Sequence, residues 1–324
     1  MTVCIAAILK WDYGTADVPD IGSAAITISD RMLTAHDVQY EPNQQKVALI
    51  GSCLILVAGE LYTHSQAIAD TKKEVGDRNV VPYDIALIYG RAIQAINRQN
   101  AENVLLAPLG LNTDSFLAQQ RDFSGGFVDT ITTQLQNWQR TDTEALVVGP
   151  DTEGMYIYSV DSQGSVANHS DAGFAAIGLG AWHAKSRLMQ SGFINSKNYN
   201  QALTSIYTAK KAAELAPGVG KSTDINLVLR NQITPVLPDI IAETDRLHGE
   251  YLSEVALLGK RSEDGLDIFF KRRRKEIADE QAKLDQSTQG NAGTPSKSSV
   301  SSQEDDSAEE AIFEEFADQS KDKA

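Results

Sequence analysis

The chain has 324 residues, 42% hydrophobic and 23% charged, with 29 bases against 44 acids for a formal net charge of −15. This is enough apolar material for a sizeable core in one large domain or two smaller ones, and the acidic excess argues against general nucleic-acid binding, which draws on surplus Lys and Arg. No apolar run approaches the roughly 18 residues of a membrane span, and two cysteines, Cys4 and Cys53, make neither a disulfide scaffold nor a four-cysteine metal site.

The opening MTVCIAAILKWDYG has no basic leader, which predicts no secretion signal and a cytoplasmic address. Val3 to Ile8 shows no polar face and predicts a strand buried on both sides. Gly14, Pro19 and Gly22 mark a loop, after which Ala24 to Ser29 reads as a second strand. KVALI at 46–50 and CLILVA at 53–58 flank Gly51-Ser52, a hairpin signal. Beyond Gly59, residues 60–75 and 83–99 carry helical patterns; in the second, Ile85, Ile88, Ala92, Ile93 and Ile96 recur near a period of 3.6. Residues 100–126, which contain Pro and Gly, read as an irregular insertion.

A helix at 127–139 precedes strands at 145–149 and 154–160, joined by a turn at Pro150-Asp151. An apolar element from Gly173 to Gly178, helices at 181–192 and 199–215, and a strand from Asp224 to Leu229 follow. Strand pairs separated by helix pairs predict two stacked sheets covered by helices. Residues 239–285 look helical and include the basic run Lys271 to Lys275, read as a solvated helix face. From Gln286 onward, nine acids, three bases and many Ser and Gln predict a disordered tail. Within it, Ile312, Phe313 and Phe316 form an apolar island of the kind that docks on partners.

The five histidines lack the spacing of zinc ligands, and no G-x-S-x-G nucleophile elbow is present. Gly218-Val219-Gly220-Lys221-Ser222-Thr223 looks like the end of a phosphate loop. However, Leu215 stands where that motif needs Gly, and the segment follows a helix and opens a strand, the reverse of the required order. It reads as a Gly-rich connection. A stronger candidate is the chain start. If Met1 is removed, Thr2 carries a hydroxyl beside a free α-amine, whose ordinary pKa of about 7.7–8.0 leaves it partly neutral near pH 7. Such a residue is nucleophile and base together. It needs a nearby cation to keep the amine deprotonated, and a carboxylate to hold the cation. Asp30 follows a strand, Lys46 lies sixteen residues beyond it, and Gly59 closes the next hairpin.

This arrangement resembles the proteasome β-subunit family and its bacterial relatives, the heat-shock-locus peptidase and the Anbu group. Tyr158-Ser159-Val160-Asp161 with Gly164, Phe174 to Gly180, and Thr223-Asp224-Ile225 extend the resemblance over roughly residues 2–232. It implies Thr2 as nucleophile, Lys46 and Asp30 as its supports, Gly59 as the oxyanion-hole amide, and Ala58 and Thr34 as substrate-binding positions. It implies an α+β fold, the four-layer αββα sandwich of N-terminal-nucleophile hydrolases, over residues 1–235. A helical C-terminal extension at 236–285 and a disordered acidic tail at 286–324 would follow. The implied activity is a threonine-type endopeptidase that needs no metal or organic cofactor and acts on peptide or protein substrates. The implied assembly is a homo-oligomeric ring, with an unfoldase or adaptor reached through the C-terminal tail; no nucleic-acid or membrane partner is expected. Leu179 departs from the pattern, standing where the family has a Ser that supports the amine. Two alternatives therefore stay open: a non-catalytic scaffold or partner-binding subunit, and a small-molecule amidase, both on the same fold.

Overall fold

The computed structural model describes residues 2–14, 20–35, 38–41, 46–194 and 197–289. Met1 and the tail segment containing Ile312, Phe313 and Phe316 lie outside the described residues. In chain order the strands are β1 (Cys4–Asp12), β2 (Ile21–Ser29), β3 (Leu33–Ala35), β4 (Val38–Tyr40), β5 (Val47–Ile50), β6 (Cys53–Gly59), β7 (Thr143–Asp151), β8 (Gly154–Val160), β9 (Val166–Asn168), β10 (Phe174–Ile177), β11 (Asp224–Val228) and β12 (Ile233–Pro235). The helices are α1 (Leu61–Val75), α2 (Pro82–Leu105), α3 (Thr113–Gln119), α4 (Gly125–Gln136), α5 (Ala181–Gln190), α6 (Tyr199–Ala213) and α7 (Pro238–Gln289).

Two antiparallel five-stranded sheets, β10-β1-β2-β11-β12 and β5-β6-β7-β8-β9, carry the fold, and β3 and β4 form a separate ribbon. The apolar faces of β1 go to two different cores. Val3, Ile5, Ala7 and Leu9 join Ile206, Tyr207 and Ala209 of α6 and Ala184 and Leu188 of α5. Cys4, Ala6 and Ile8 meet Leu54, Leu56 and Ala58 of β6 and Leu146 and Val148 of β7, so one core lies between the sheets. The other face of β6 and β7 packs on α1 and α2 through Ile55, Val57, Val147, Ile85, Tyr89 and Ile93. Strand alternation thus sends successive residues to opposite cores.

The chain divides into two compact units, one running through Ser253 and the other from Glu254. The described part of the second is the helical stretch that ends at Gln289. Among the described residues, no helix is long and apolar enough to cross a membrane.

Several expectations need correction. Residues 100–126 are largely helical: α2 continues to Leu105, a 3-10 turn covers Ala107–Leu109, and α3 follows. Asn112 starts α3 with a capping box closed by Ser115, while Phe116, Phe123 and Phe127 cluster over Leu106 and Ile131. Local capping and this small apolar cluster outweigh the Pro and Gly signals. The β7–β8 turn falls at Thr152-Glu153, because Pro150 pairs with Met155 and Asp151 with Gly154. The final helix extends to Gln289, past the expected boundary at 285. The short strands β3, β4, β9 and β12 carried too few residues for a periodic signal.

Candidate active site

Sheet register brings the first two candidates together. Cys4 pairs with Ser29, so the residue after β2 lies beside the start of β1, and the Asp30 amide donates to the Val3 carbonyl at 3.2 Å. Lys46 stands immediately before β5, and its carbonyl accepts the Val57 amide at 3.3 Å. Because β1 and β6 face each other across the inter-sheet core, the three side chains converge. Lys46 Nζ donates to Thr2 Oγ1 at 2.7 Å and lies 3.3 Å from Asp30 Oδ1. The Thr2 hydroxyl donates to Asp30 Oδ1, and Lys46 Nζ also donates to the Met32 carbonyl. Thr2 is 3% exposed, Asp30 0% and Lys46 9%.

Burying a carboxylate is costly unless donors surround it. Asp30 meets that demand with both oxygens. Besides Thr2 and Lys46, Oδ1 accepts from the Val3 amide at 3.0 Å, while Oδ2 accepts from Met32 at 3.1 Å and Gly220 at 2.8 Å. The Gly220 bond explains the phosphate-loop look-alike. Its amides already face carboxylates of the same chain: Gly220 meets Asp30, and Lys221 and Ser222 meet Glu41 at 2.7 and 3.3 Å, with the Ser222 hydroxyl also on Glu41. Burial works to raise the Glu41 carboxyl, but these bonds outweigh it and hold it below its ordinary value. The carbonyls of the same loop face a buried cation, since Lys210 Nζ donates to Gly220 O at 3.1 Å, to Lys221 O at 2.7 Å and to Glu214. Arg31 engages Asp224 through two bonds, Nε at 2.8 Å and Nη2 at 2.5 Å.

Gly59 ends β6 with φ +107, a conformation that suits glycine, and a side chain there would run into the Asp142 carbonyl. Val57 donates its amide toward Lys46, and alternate amides of a strand point the same way, so the Gly59 N–H is directed to the Lys46 side. There it lies past the last β5–β6 pair, Val47↔Leu56. Thr2 and Ala58 both border Gly178, where no side chain would fit between the Thr2 carbonyl and the Ala58 Cβ. Gly178 donates to Glu144 at 2.7 Å, and Gly180 donates to the Thr2 carbonyl at 3.4 Å. Leu179 between them is 53% exposed, so backbone alone links this segment to the Thr2 strand. Thr34 lies in β3 opposite Gln39, and its side chain is outside the described residues.

Cys4 is buried beside the cluster, and burial first, then the charge of Asp30, push its thiol up to about 12. It is held as a protonated core residue, with Sγ 3.4 Å from the Val57 carbonyl. Among the described residues no group of three or more His, Cys, Asp and Glu is placed to hold a metal ion.

Sequence reasoning missed Lys210, Glu41, Glu144 and His64. His64 bonds the Ala58 carbonyl and the Tyr89 hydroxyl. No spacing rule marks these residues. A lysine among the apolar positions of α6 was the one visible signal, since lysine is seldom fully buried unless paired.

No family model matches the chain, and no curated relative matches it. Among solved structures, Anbu (ancestral beta-subunit) from Yersinia bercovieri is similar at a TM-score of 0.52, covering 78% of this chain and 96% of that chain with 13% sequence identity. At that identity the likeness is one of fold. What the two share is the mixed α+β architecture with its two antiparallel sheets.

Proposed function

We propose that this chain is a threonine-type peptidase built on the four-layer αββα sandwich of N-terminal-nucleophile hydrolases. The observation that carries the reading is the buried triad in which Lys46 Nζ, 2.7 Å from Thr2 Oγ1, is held by Asp30, which also accepts the Thr2 hydroxyl. While Met1 remains, the Thr2 nitrogen is an amide and has no useful basicity. Its removal creates an α-amine on the same residue as the hydroxyl.

In this reading the amine takes the hydroxyl proton as Oγ1 attacks the scissile carbonyl carbon. The Lys46 ammonium disfavours a second positive charge nearby, which keeps the amine neutral. The Gly59 N–H receives the oxyanion, a donor typically worth about 3–4 kcal/mol. Collapse breaks the C–N bond, and the amine returns the proton to the leaving nitrogen. Water then attacks the acyl ester and passes a proton to the amine, which hands it to the departing Oγ1 as the ester C–O bond breaks, releasing the acid and regenerating Thr2. Asp30 anchors Lys46 and the loop at Gly220. Substrates would be peptides or unfolded proteins, and the assembly a homo-oligomer.

The test is intact mass followed by labelling with a covalent threonine-directed probe. The expected outcome is a chain lacking Met1, modified at Thr2, with labelling abolished in Thr2→Ala and reduced at least a hundredfold in Lys46→Ala. A chain that retains Met1 and resists the probe would instead identify a non-catalytic scaffold. Turnover of compact amides without peptide cleavage would identify the amidase alternative.

A further inference from the structure

His64 lies in the first turn of α1, buried, and the reaction above gives it no role. Both ring nitrogens are engaged: Nε2 is 2.8 Å from the Ala58 carbonyl and Nδ1 is 2.7 Å from the Tyr89 hydroxyl. A carbonyl only accepts, so Nε2 carries the hydrogen. Nδ1 must then be the acceptor and the Tyr89 hydroxyl the donor. Burial supports this assignment, holding the imidazole neutral and the fully buried Tyr89 hydroxyl protonated. Tyr89 belongs to α2 and packs in the core between the helices and β6, so the ring is seated on a rigid element.

The Ala58 carbonyl and the Gly59 N–H are the two ends of one peptide plane. Among the described residues no cis bond is present, so they point in opposite directions. One end is held by His64. The other faces the Lys46 side, where the oxyanion is expected. Ala58 and Gly59 pair with Glu144 and Thr143 of β7, and Gly59, with φ +107, is the point at which β6 leaves ordinary strand geometry. At this end of the ladder a side-chain donor on the carbonyl adds a second restraint and polarises the amide, which strengthens the opposite N–H as a donor.

We propose that His64, seated on Tyr89, is the positioning residue for the oxyanion-binding peptide Ala58–Gly59. The proposal rests on the threonine-peptidase reading. It predicts a selective defect: reactions that pass through an oxyanion depend on His64, and reactions at the same nucleophile without one do not.

The full-length protein is treated with two probes directed at Thr2. A β-lactone acylates through a tetrahedral oxyanion, whereas a peptide vinyl sulfone adds its β-carbon to Oγ with no carbonyl oxyanion. His64→Phe is expected to slow β-lactone acylation about 10–100-fold, short of the full loss of an oxyanion donor, with the vinyl sulfone rate within threefold of wild type. Tyr89→Phe is expected to show a smaller defect of the same selectivity. In His64→Gln, an amide that can donate to Ala58, part of the acylation rate should return. These two milder variants carry the test if His64→Phe does not fold. Equal loss with both probes, or an unchanged acylation rate, overturns the proposal. A wild-type protein labelled by neither probe overturns the peptidase reading and this inference with it. Wild-type labelling with unselective variants overturns the inference alone.

Discussion

Single side chains show how one environment assigns different chemistry to neighbouring groups. Thr2 and Cys4 are two residues apart on the same side of the chain, but Thr2 stands just before β1, where Asp30 and Lys46 converge. The Thr2 hydroxyl meets an ammonium and a carboxylate, while Cys4 points into the apolar layer between the sheets. With its thiol pushed up to about 12 by burial, Cys4 carries little thiolate at ordinary pH. Iodoacetamide at pH 8 should leave it unmodified in the folded protein and alkylate it in urea, as peptide mass mapping would show. The histidines make a pH prediction. Burial lowers the pKa of His64 and His169 below its ordinary value. The unfolded chain titrates them near about 6.5, so below that pH it binds protons that the folded chain refuses. Stability is therefore full above that pH and falls as pH drops through it. Urea midpoints recorded from pH 7.5 to 5 should decline, with a shallower slope in His64→Gln.

Elements matter here for what their ends present. The end of β2 delivers Asp30 and the start of β5 Lys46, and in the proposed reading the end of β6 adds Gly59, so the cluster is built where elements end. The loop after α6 completes it from behind, with amides on Asp30 and Glu41 and carbonyls on Lys210. Lys210→Met would leave two carbonyls without their cation and Glu214 with Lys211 alone, at 3.5 Å. Breaking a buried charge pair costs about 3–5 kcal/mol, so a large fall in the urea midpoint is expected. An unchanged midpoint would show that water replaces the ammonium. Conversely, filling the loop with phosphate would require displacing two carboxylates, which is why its Gly-Lys-Ser spelling does not signal a nucleotide site here.

For the whole molecule, the second compact unit is the feature with the least internal support. On its helix, Val255, Leu258, Leu266 and Phe269 are exposed and share one face. Exposed apolar rows of this kind commonly mark association surfaces. Sedimentation is expected to give a species heavier than the 35.2 kDa chain. Paired Leu258→Asp and Phe269→Asp substitutions should lower that mass without unfolding residues up to Ser253. A monomer in both cases would remove the proposed oligomer.

Much of this was legible in the residues themselves. Apolar runs in β1, β2, β5 and β6 and the 3.6 period of α2 reflect a partition between core and water, which each segment expresses locally. The Thr2, Asp30 and Lys46 set was readable through its resemblance to a known family pattern, and strand register then brings the three together. Helix α3 escaped notice since a capping box and three phenylalanines do not form a long period. What packing alone decided are the partnerships between distant elements: Gly220 on Asp30, Lys210 on its loop, His64 on Ala58. Hydrogen bonds of this sort depend on how finished elements are stacked, and a linear string holds no coordinate for that.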